Sequence, residues 1–135
     1  MDEGIASCLC MKQHDWSFNH KPYDLRQRLL NFAVVIVRLV QFLHTQGPIA
    51  KALSYQILKC GTSAGANYEE ADDGSSPRDK KAKRLITLRE LKETHFRLKV
   101  LRIVGILGLC HDPVLQENDE LVRIVATIIR NTPDE

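Results

Sequence analysis

The chain has 135 residues, of which 44% are hydrophobic and 27% are charged, and this composition excludes global disorder and suits a single domain. Its formal net charge of +2 is too small to indicate nucleic-acid binding by itself, so such a function must depend on where the charges lie. The four cysteines lack C-x-x-C spacing and no secretory leader precedes them, which predicts reduced thiols in a cytoplasmic protein.

Residues 1–22 show little periodicity and predict a poorly ordered N-terminal extension. Trp16 and Phe18 are its candidate local anchors. The extension also contains two cysteines and two histidines, namely Cys8, Cys10, His14 and His20. Their spacing matches no structural zinc site, so the sequence assigns them no ligand and we expect neither a metal nor a cofactor.

Residues 23–132 predict a bundle of four helices, and residues 133–135 a C-terminal tail. The first helix should run from Asp24 to about His44, and its middle is apolar around most of its circumference. A helix that covers one face of a monomeric bundle should show a polar half. The apolar run is short for a membrane span and contains Arg38. We therefore expect a subunit interface on this helix and no membrane contact.

The second helix should begin at Pro48, which suits a first-turn position, and end near Asp72. It contains the segment Gly61-Thr62-Ser63-Ala64-Gly65, which permits two interpretations. As G-x-S-x-G it matches a nucleophile elbow, in which Ser63 would attack with a downstream histidine, His95 or His111, as base. That elbow needs a preceding strand and a parallel sheet, which the sequence does not predict. We favour a helix-packing role for the small residues and expect no catalytic residue.

The third helix has a strong start signal, because Ser76 can cap it, Pro77 suits its first turn and Asp79 its third position. We expect it to continue to about Leu107. Its predicted core stripe, at steps of three and four residues, comprises Leu85, Leu88, Leu91, His95, Leu98 and Leu101.

A last helix, capped by Asp112 or Asn118, should run to about Arg130. His44 and His111 lie near predicted helix ends, where a histidine can favour the C-terminal dipole. Short connections between four helices predict antiparallel neighbours, and hence an all-α, up-down-up-down four-helix bundle.

The segment Gln56–Ala71 resembles the signature of the four-helix-bundle proteins first known as products of intervening sequences in bacterial 23S ribosomal RNA. A second match covers Leu88–Leu98. Two departures, Cys60 and Arg97, are expected to change only surface contacts. The helix-packing motif within the signature comprises Gly61, Ser63, Gly65, Asn67 and Glu70.

This resemblance implies a left-handed four-helix bundle that assembles as a ring-like homo-oligomer, often a pentamer, without established enzymatic activity. More distantly, the chain is similar to the accessory variability proteins of diversity-generating retroelements. Those relatives bind a reverse transcriptase and nucleic acid through a basic surface. The resemblance therefore implies a partner of protein or nucleic acid, without naming one.

Charge is concentrated in the third helix, where residues 77–102 carry ten basic and three acidic side chains, a net charge of +7. The predicted nucleic-acid contacts are Lys80, Lys81, Lys83, Arg84, Arg89, Lys92, Arg97 and Lys99. Such a basic face can follow a phosphate backbone of RNA or DNA. The alternative is that these cations serve solubility and pair with the acidic cluster Glu69, Glu70, Asp72 and Asp73. In that case the protein is an interaction scaffold, or accompanies a reverse transcriptase without touching nucleic acid.

Overall fold

The computed structural model describes residues 15–18, 21–74 and 76–133, and these form four long helices and no strand. The helices are α1 (Leu25–Leu43), α2 (Pro48–Asp72), α3 (Pro77–Ile103) and α4 (Asp112–Asn131), with a 3-10 turn (Leu109–His111) directly before α4. α1 packs against α2, α2 against α3, and α3 against α4, while α4 also contacts α1. The all-α prediction is confirmed, and the packing is consistent with a four-helix bundle.

The predicted starts of the first three helices are confirmed, because each has a local signal that acts as expected. The Asp24 carboxylate accepts a hydrogen bond from the Arg26 amide at 3.0 Å and caps α1. The Ser76 hydroxyl accepts one from the Asp79 amide at 3.1 Å and caps α3. A proline begins both α2 and α3, where its missing N–H leaves no hydrogen bond unmade.

α3 ends at Ile103, four residues before the predicted position near Leu107. Gly105 has a φ of +88°, a left-handed conformation that glycine adopts without strain. The Leu107 amide then donates back to the Leu101 carbonyl at 3.1 Å, which closes the helix end. The chain therefore turns earlier than the apolar sequence of this segment suggested.

The predicted core stripe of α3 is confirmed in part, because Leu91, Leu98 and Leu101 are buried and Leu88 packs against the core, but two threonines replace Leu85 and His95 in it. Its buried residues are Thr87, Leu91, Thr94, Leu98 and Leu101, whereas Leu85 is 37% exposed on the opposite side. The Thr87 hydroxyl donates to the Ala64 carbonyl of α2 at 3.0 Å, and the Thr94 hydroxyl lies 3.0 Å from Cys60 Sγ. Two threonines thus take core positions because their hydroxyls find partners on α2.

Cys60 is buried against α3, so this departure from the family pattern changes a core contact and not a surface contact as expected. Burial raises the pKa of its thiol, which keeps the side chain neutral. The other departure, Arg97, is half-buried and pairs with Glu93 at 3.0 Å one helical turn earlier.

Asn118 lies inside α4, and so the prediction that it caps this helix is wrong. The side chain is fully buried, and its Nδ2 donates to the Leu91 carbonyl of α3 at 3.0 Å. Among the described residues, its Oδ1 has no hydrogen-bond partner. The other candidate, Asp112, is the first residue of α4 and accepts a hydrogen bond from Arg102 Nε at 2.8 Å.

α1 and α4 are joined by a charged cluster. Arg28 Nε and Nη2 each donate to the Glu117 carboxylate at 2.8 Å, and Nη2 also donates to Glu120 at 2.7 Å. The Glu117 side chain is only 1% exposed. Lys21 Nζ, from the segment before α1, lies 3.1 Å from Glu120. The cluster satisfies a buried carboxylate with a fork-shaped guanidinium, the geometry that makes such pairs strong.

Trp16 is 3% exposed and lies against the Phe42 ring, with 6.3 Å between centroids, and the His111 ring, with 5.2 Å. Phe18 also packs on the core. Both candidate anchors of the extension therefore contact the bundle. Cys8, Cys10, His14 and His20 lie outside the described residues, so the expectation that they hold no metal stays a prediction.

His111 is buried just before α4, where its Nδ1 accepts a hydrogen bond from the Gly108 amide at 3.0 Å. Burial lowers the pKa of His111 to about 4, so the ring is neutral near pH 7. The prediction that His111 interacts with the dipole at a helix C-terminus is therefore wrong, because the ring is neutral and lies at a helix N-terminus. His44 does follow the last turn of α1, with its ring edge-on to Tyr55 at 5.4 Å.

Candidate nucleic-acid interface

The side of α3 that points away from the bundle carries a continuous stripe of basic and apolar residues. It contains Arg78, Lys81, Leu85, Arg89, Lys92, Phe96, Lys99 and Ile103, which follow one another at steps of three or four residues. All are exposed except Lys81, which is half-buried. We call this set the outer stripe. Five of its members are basic, three are apolar and none is acidic, so it presents positive charge along most of the helix.

The structure divides the eight predicted contact residues between two sides of α3. Lys81, Arg89, Lys92 and Lys99 lie on the outer stripe, whereas Lys80, Lys83, Arg84 and Arg97 lie outside it, all four half-buried. Arg78 belongs to the outer stripe but was missed as a predicted contact. Its spacing of three residues from Lys81 could have indicated that the two side chains lie on the same side of α3.

The cations that turn toward α2 are engaged in contacts within the protein. Lys83 Nζ lies 2.7 Å from the Glu70 carboxylate. Arg84 lies 3.7 Å from Asp72 and places its guanidinium 5.7 Å from the centre of the Tyr68 ring. The proposed pairing of α3 with the acidic cluster is thus real for Lys83 and Arg84.

Part of the acidic cluster also faces α1, because Arg26 lies within 4.0 Å of Glu69, Asp72 and Asp73. By contrast, four cations of the outer stripe have no ion pair with any described residue, namely Arg78, Arg89, Lys92 and Lys99. Their charge is therefore not cancelled by a neighbour within the described chain. The cations are free to meet an anionic ligand.

His95 adds no charge to this surface near pH 7. It is half-buried on α3, and burial lowers its pKa, with nearby Lys99 acting in the same direction. Within the described part of the chain, this imidazole is the only group near the outer stripe whose usual pKa lies between pH 5 and 8.

The residues of the helix-packing motif of α2 contact two different sets of partners. Its glycines face α1: a Cβ added at Gly61 would lie 2.8 Å from Ile36 Cγ2, and one at Gly65 would lie 3.4 Å from Leu29 Cβ. Its polar residues reach other partners: the Ser63 hydroxyl donates to the Glu90 carboxylate at 2.8 Å, and Asn67 Nδ2 donates to the Ser63 carbonyl at 2.9 Å. Glu70 completes this side through its contact with Lys83.

Ser63 does not lie on a nucleophile elbow. Residues 61–65 are in the interior of α2, whereas the elbow requires a turn between a strand and a helix. Its hydroxyl donates to a carboxylate and not to a histidine, and His111 lies against Trp16 instead. This geometry differs from the strand–turn–helix and Ser–His arrangement that the elbow interpretation requires.

The described residues contain neither a metal-binding cluster nor a membrane-spanning helix. Within residues 15–18, 21–74 and 76–133, no group of three or more histidine, cysteine, aspartate or glutamate side chains is arranged to hold a metal ion. No helix in those ranges has the length and apolar character needed to span a bilayer.

α1 exposes an apolar stripe on the side away from the core. Leu30, Val34 and Val37 are 50%, 44% and 40% exposed and follow one another at steps of four and three residues. The predicted burial of α1 on more than one side is therefore not achieved within one copy of the chain.

These features define an all-helical protein of the four-helix-bundle class, with a basic outer face on one helix. One solved structure is similar over 80% of this chain and 100% of its own, with a TM-score of 0.73 and 31% sequence identity. It is a protein of unknown function from the S23 ribosomal protein family of Bacteroides thetaiotaomicron. The chain therefore belongs to the S23 ribosomal protein family, which supports the family-level resemblance found in Gln56–Ala71. No family profile and no curated protein matches the chain.

Proposed function

We propose that the protein is a non-enzymatic, cytoplasmic, oligomeric four-helix bundle that binds RNA or DNA through the outer stripe of α3. The observation that carries this proposal is the charge of the stripe, which has five basic residues and no acidic one. Arg89, Lys92 and Lys99 are exposed and have no ion pair with a described residue, so binding a phosphate would not require breaking an internal contact.

The length and charge of the stripe suit a nucleic-acid backbone. From Arg78 to Ile103 it extends over about 38 Å, at the rise of 1.5 Å per residue of an α-helix. Each phosphate that a lysine or arginine neutralises releases counterions, so the affinity should fall steeply as the salt concentration rises. A protein partner bound through the apolar residues of the stripe would show a much weaker salt dependence.

The proposal includes assembly into a ring-like homo-oligomer, for which a pentamer is the family-based expectation, built from left-handed, up-down-up-down subunits. The exposed apolar stripe of α1 supports it, because burial of Leu30, Val34 and Val37 against a second copy would remove them from water. Closed symmetry would then repeat the outer stripe of α3 around the assembly.

The assembly can be tested by measuring the mass in solution with light scattering after chromatography. Val34→Arg should lower the mass, since it places a charge in the proposed contact. Leu109→Arg, at another exposed apolar position, is the matched control and should leave the mass unchanged. A wild-type protein that is monomeric at micromolar concentration would exclude the oligomer.

Binding can be tested by fluorescence anisotropy with labelled structured RNA and duplex DNA over a salt series. Lys92→Glu/Lys99→Glu should abolish binding to both. Lys51→Glu/Arg123→Glu makes the same change of net charge at exposed positions on α2 and α4, and should have a small effect. Equal losses in the two variants would show that total charge, and not the outer stripe, governs binding.

The alternative function, a protein-interaction scaffold or reverse-transcriptase accessory without nucleic-acid contact, is favoured by the apolar members of the outer stripe. Phe96 and Ile103 are 64% and 83% exposed. If the protein binds no nucleic acid even at low salt, this alternative replaces the proposed function, and the partner should be captured by wild-type protein but not by Ile103→Glu.

A further inference from the structure

Phe96 occupies an unusual place at the centre of the basic half of the outer stripe. Its ring is 64% exposed, although it lies in the middle of a well-packed helix. Lys92 precedes it by four residues and Lys99 follows it by three, so both share its side of α3 within about one turn. Arg89 lies one further step along the same side. Three exposed cations thus lie on the same side of α3 as the ring, while the exposed Glu93, three residues before it, is paired with Arg97 at 3.0 Å.

An exposed aromatic ring among cations suits a different nucleic-acid ligand from a row of cations alone. A duplex keeps its bases stacked inside and offers phosphates outside, so contact with a duplex needs the cations and gains little from an exposed ring. An unpaired base has a free face that can stack on an aromatic side chain, while the phosphates on either side of it meet lysine or arginine. The combination of an aromatic ring with flanking cations on one surface is typical of sites that hold single strands.

We propose that Phe96 stacks against an unpaired base, and that Arg89, Lys92 and Lys99 hold the adjacent phosphates, so that the preferred ligand is a single strand or a loop. This inference rests on the proposed function, and it specifies the class of nucleic acid. It applies to RNA and DNA alike, because both present the same base faces and phosphates. The two are separated by comparing strands of equal length and sequence.

The direct test compares labelled single-stranded RNA, single-stranded DNA and the matching duplexes by fluorescence anisotropy, using unstructured 20-nucleotide sequences. Wild-type protein should bind at least one type of single strand more tightly than its duplex. Phe96→Leu keeps an apolar side chain of similar size but removes the aromatic face, and should weaken binding of that single strand about tenfold. Phe96→Trp keeps the face and should retain the affinity. Neither substitution should alter duplex binding by more than about twofold.

The salt dependence distinguishes stacking from charge. Phe96→Leu should leave the slope of log affinity against log salt unchanged, because no phosphate contact is lost. Lys92→Gln should reduce that slope by about one, as expected for a residue that neutralises one phosphate. Circular dichroism and the mass in solution, measured for each variant, verify that the fold and the assembly are intact.

Four outcomes would overturn the inference. If Phe96→Leu binds single strands as tightly as wild type, the ring does not stack, while salt-dependent binding would leave the proposed function in place. If duplex binding falls in parallel with single-strand binding, the ring has no selectivity for unpaired bases. If the mass changes, Phe96 lies at a contact between subunits. Absence of all nucleic-acid binding would remove the proposed function together with the inference.

Discussion

α1 packs against its two neighbours in opposite ways. On the α2 side, Gly61 and Gly65 let the side chains of Ile36 and Leu29 approach the α2 backbone. This close contact is possible because glycine has no Cβ atom. On the α4 side, Arg28 reaches across to Glu117, so the contact depends on side chains that are present and paired. A larger side chain on α2 should therefore destabilise the first contact, whereas loss of a charged partner should destabilise the second.

The largest effect is expected where Trp16 covers the α4 side of α1. Trp16→Ala removes a nearly fully buried side chain that lies against Phe42 and His111, and should lower the free energy of unfolding by about 3 to 5 kcal/mol. The loss can be measured by urea denaturation followed by far-ultraviolet circular dichroism. Trp16→Phe, the control, should lose less than half as much. A loss below about 1 kcal/mol would mean that the segment is not part of the α1–α4 contact.

The charged contact itself is tested by Glu117→Ala, which leaves the Arg28 guanidinium without its main partner. We expect a loss of about 2 to 4 kcal/mol, because the mostly buried guanidinium keeps only the more exposed Glu120 as an anionic partner. Glu120→Ala is the matched control. Its carboxylate is 34% exposed, so its loss should be about 1 kcal/mol or less. Equal losses for the two variants would refute the distinction between a buried and a peripheral partner.

The pH dependence of stability should report His111, which adjoins Trp16. Its folded pKa of about 4 lies below the usual value of 6.5, so the unfolded chain takes up a proton more readily than the folded one. The stabilisation is therefore complete above pH 6.5 and is lost as the pH falls toward 4, with a decrease of about 2 to 3 kcal/mol. His111→Gln removes this titration and should show a shallower decline. Parallel curves for the two proteins would contradict the assignment.

The smallest effect is expected on the α2 side. Gly61→Ala gains about 1 kcal/mol of helix propensity but forces Ile36 to move from its position 2.8 Å from the new Cβ, and we expect a net loss of about 1 kcal/mol. Gly65→Ala meets Leu29 at an ordinary 3.4 Å and should be neutral or stabilising. In an Ile36→Ala background, Gly61→Ala should raise the free energy of unfolding, because the Ile36 atoms that it would meet are absent. If both alanine variants are equally stable, close approach is not the reason for Gly61.

Local signals explain which parts of the fold could be predicted. Pro48, Ser76 and Pro77 act within one helical turn, and the starts of α2 and α3 were predicted correctly from them. The core side of α3 depends on distant partners. Thr87 and Thr94 are polar residues, which are usually predicted at the surface. Both are buried here because their hydroxyls have partners on α2, whereas Leu85 is exposed.

The incomplete prediction of the core side of α3 also limited the prediction of the candidate site. The excess of positive charge could be counted, but the side on which each cation lies follows from the core side of the helix. Hence the predicted contacts omit Arg78, which lies on the outer stripe, and include Lys83 and Arg84, which pair with α2. The pairing of Arg28 with Glu117 could not be predicted either, because 89 residues separate the two and neither carries a local signal of burial.

Asn118 has a consequence for how α3 and α4 align lengthwise. Its amide meets the Leu91 carbonyl at one offset between the helices, and a slide of one turn would leave a buried donor unpaired, which costs about 1 to 3 kcal/mol. We therefore expect Asn118 to favour one lengthwise alignment of α3 and α4 over its neighbours, as a single buried polar residue can do in packed helices.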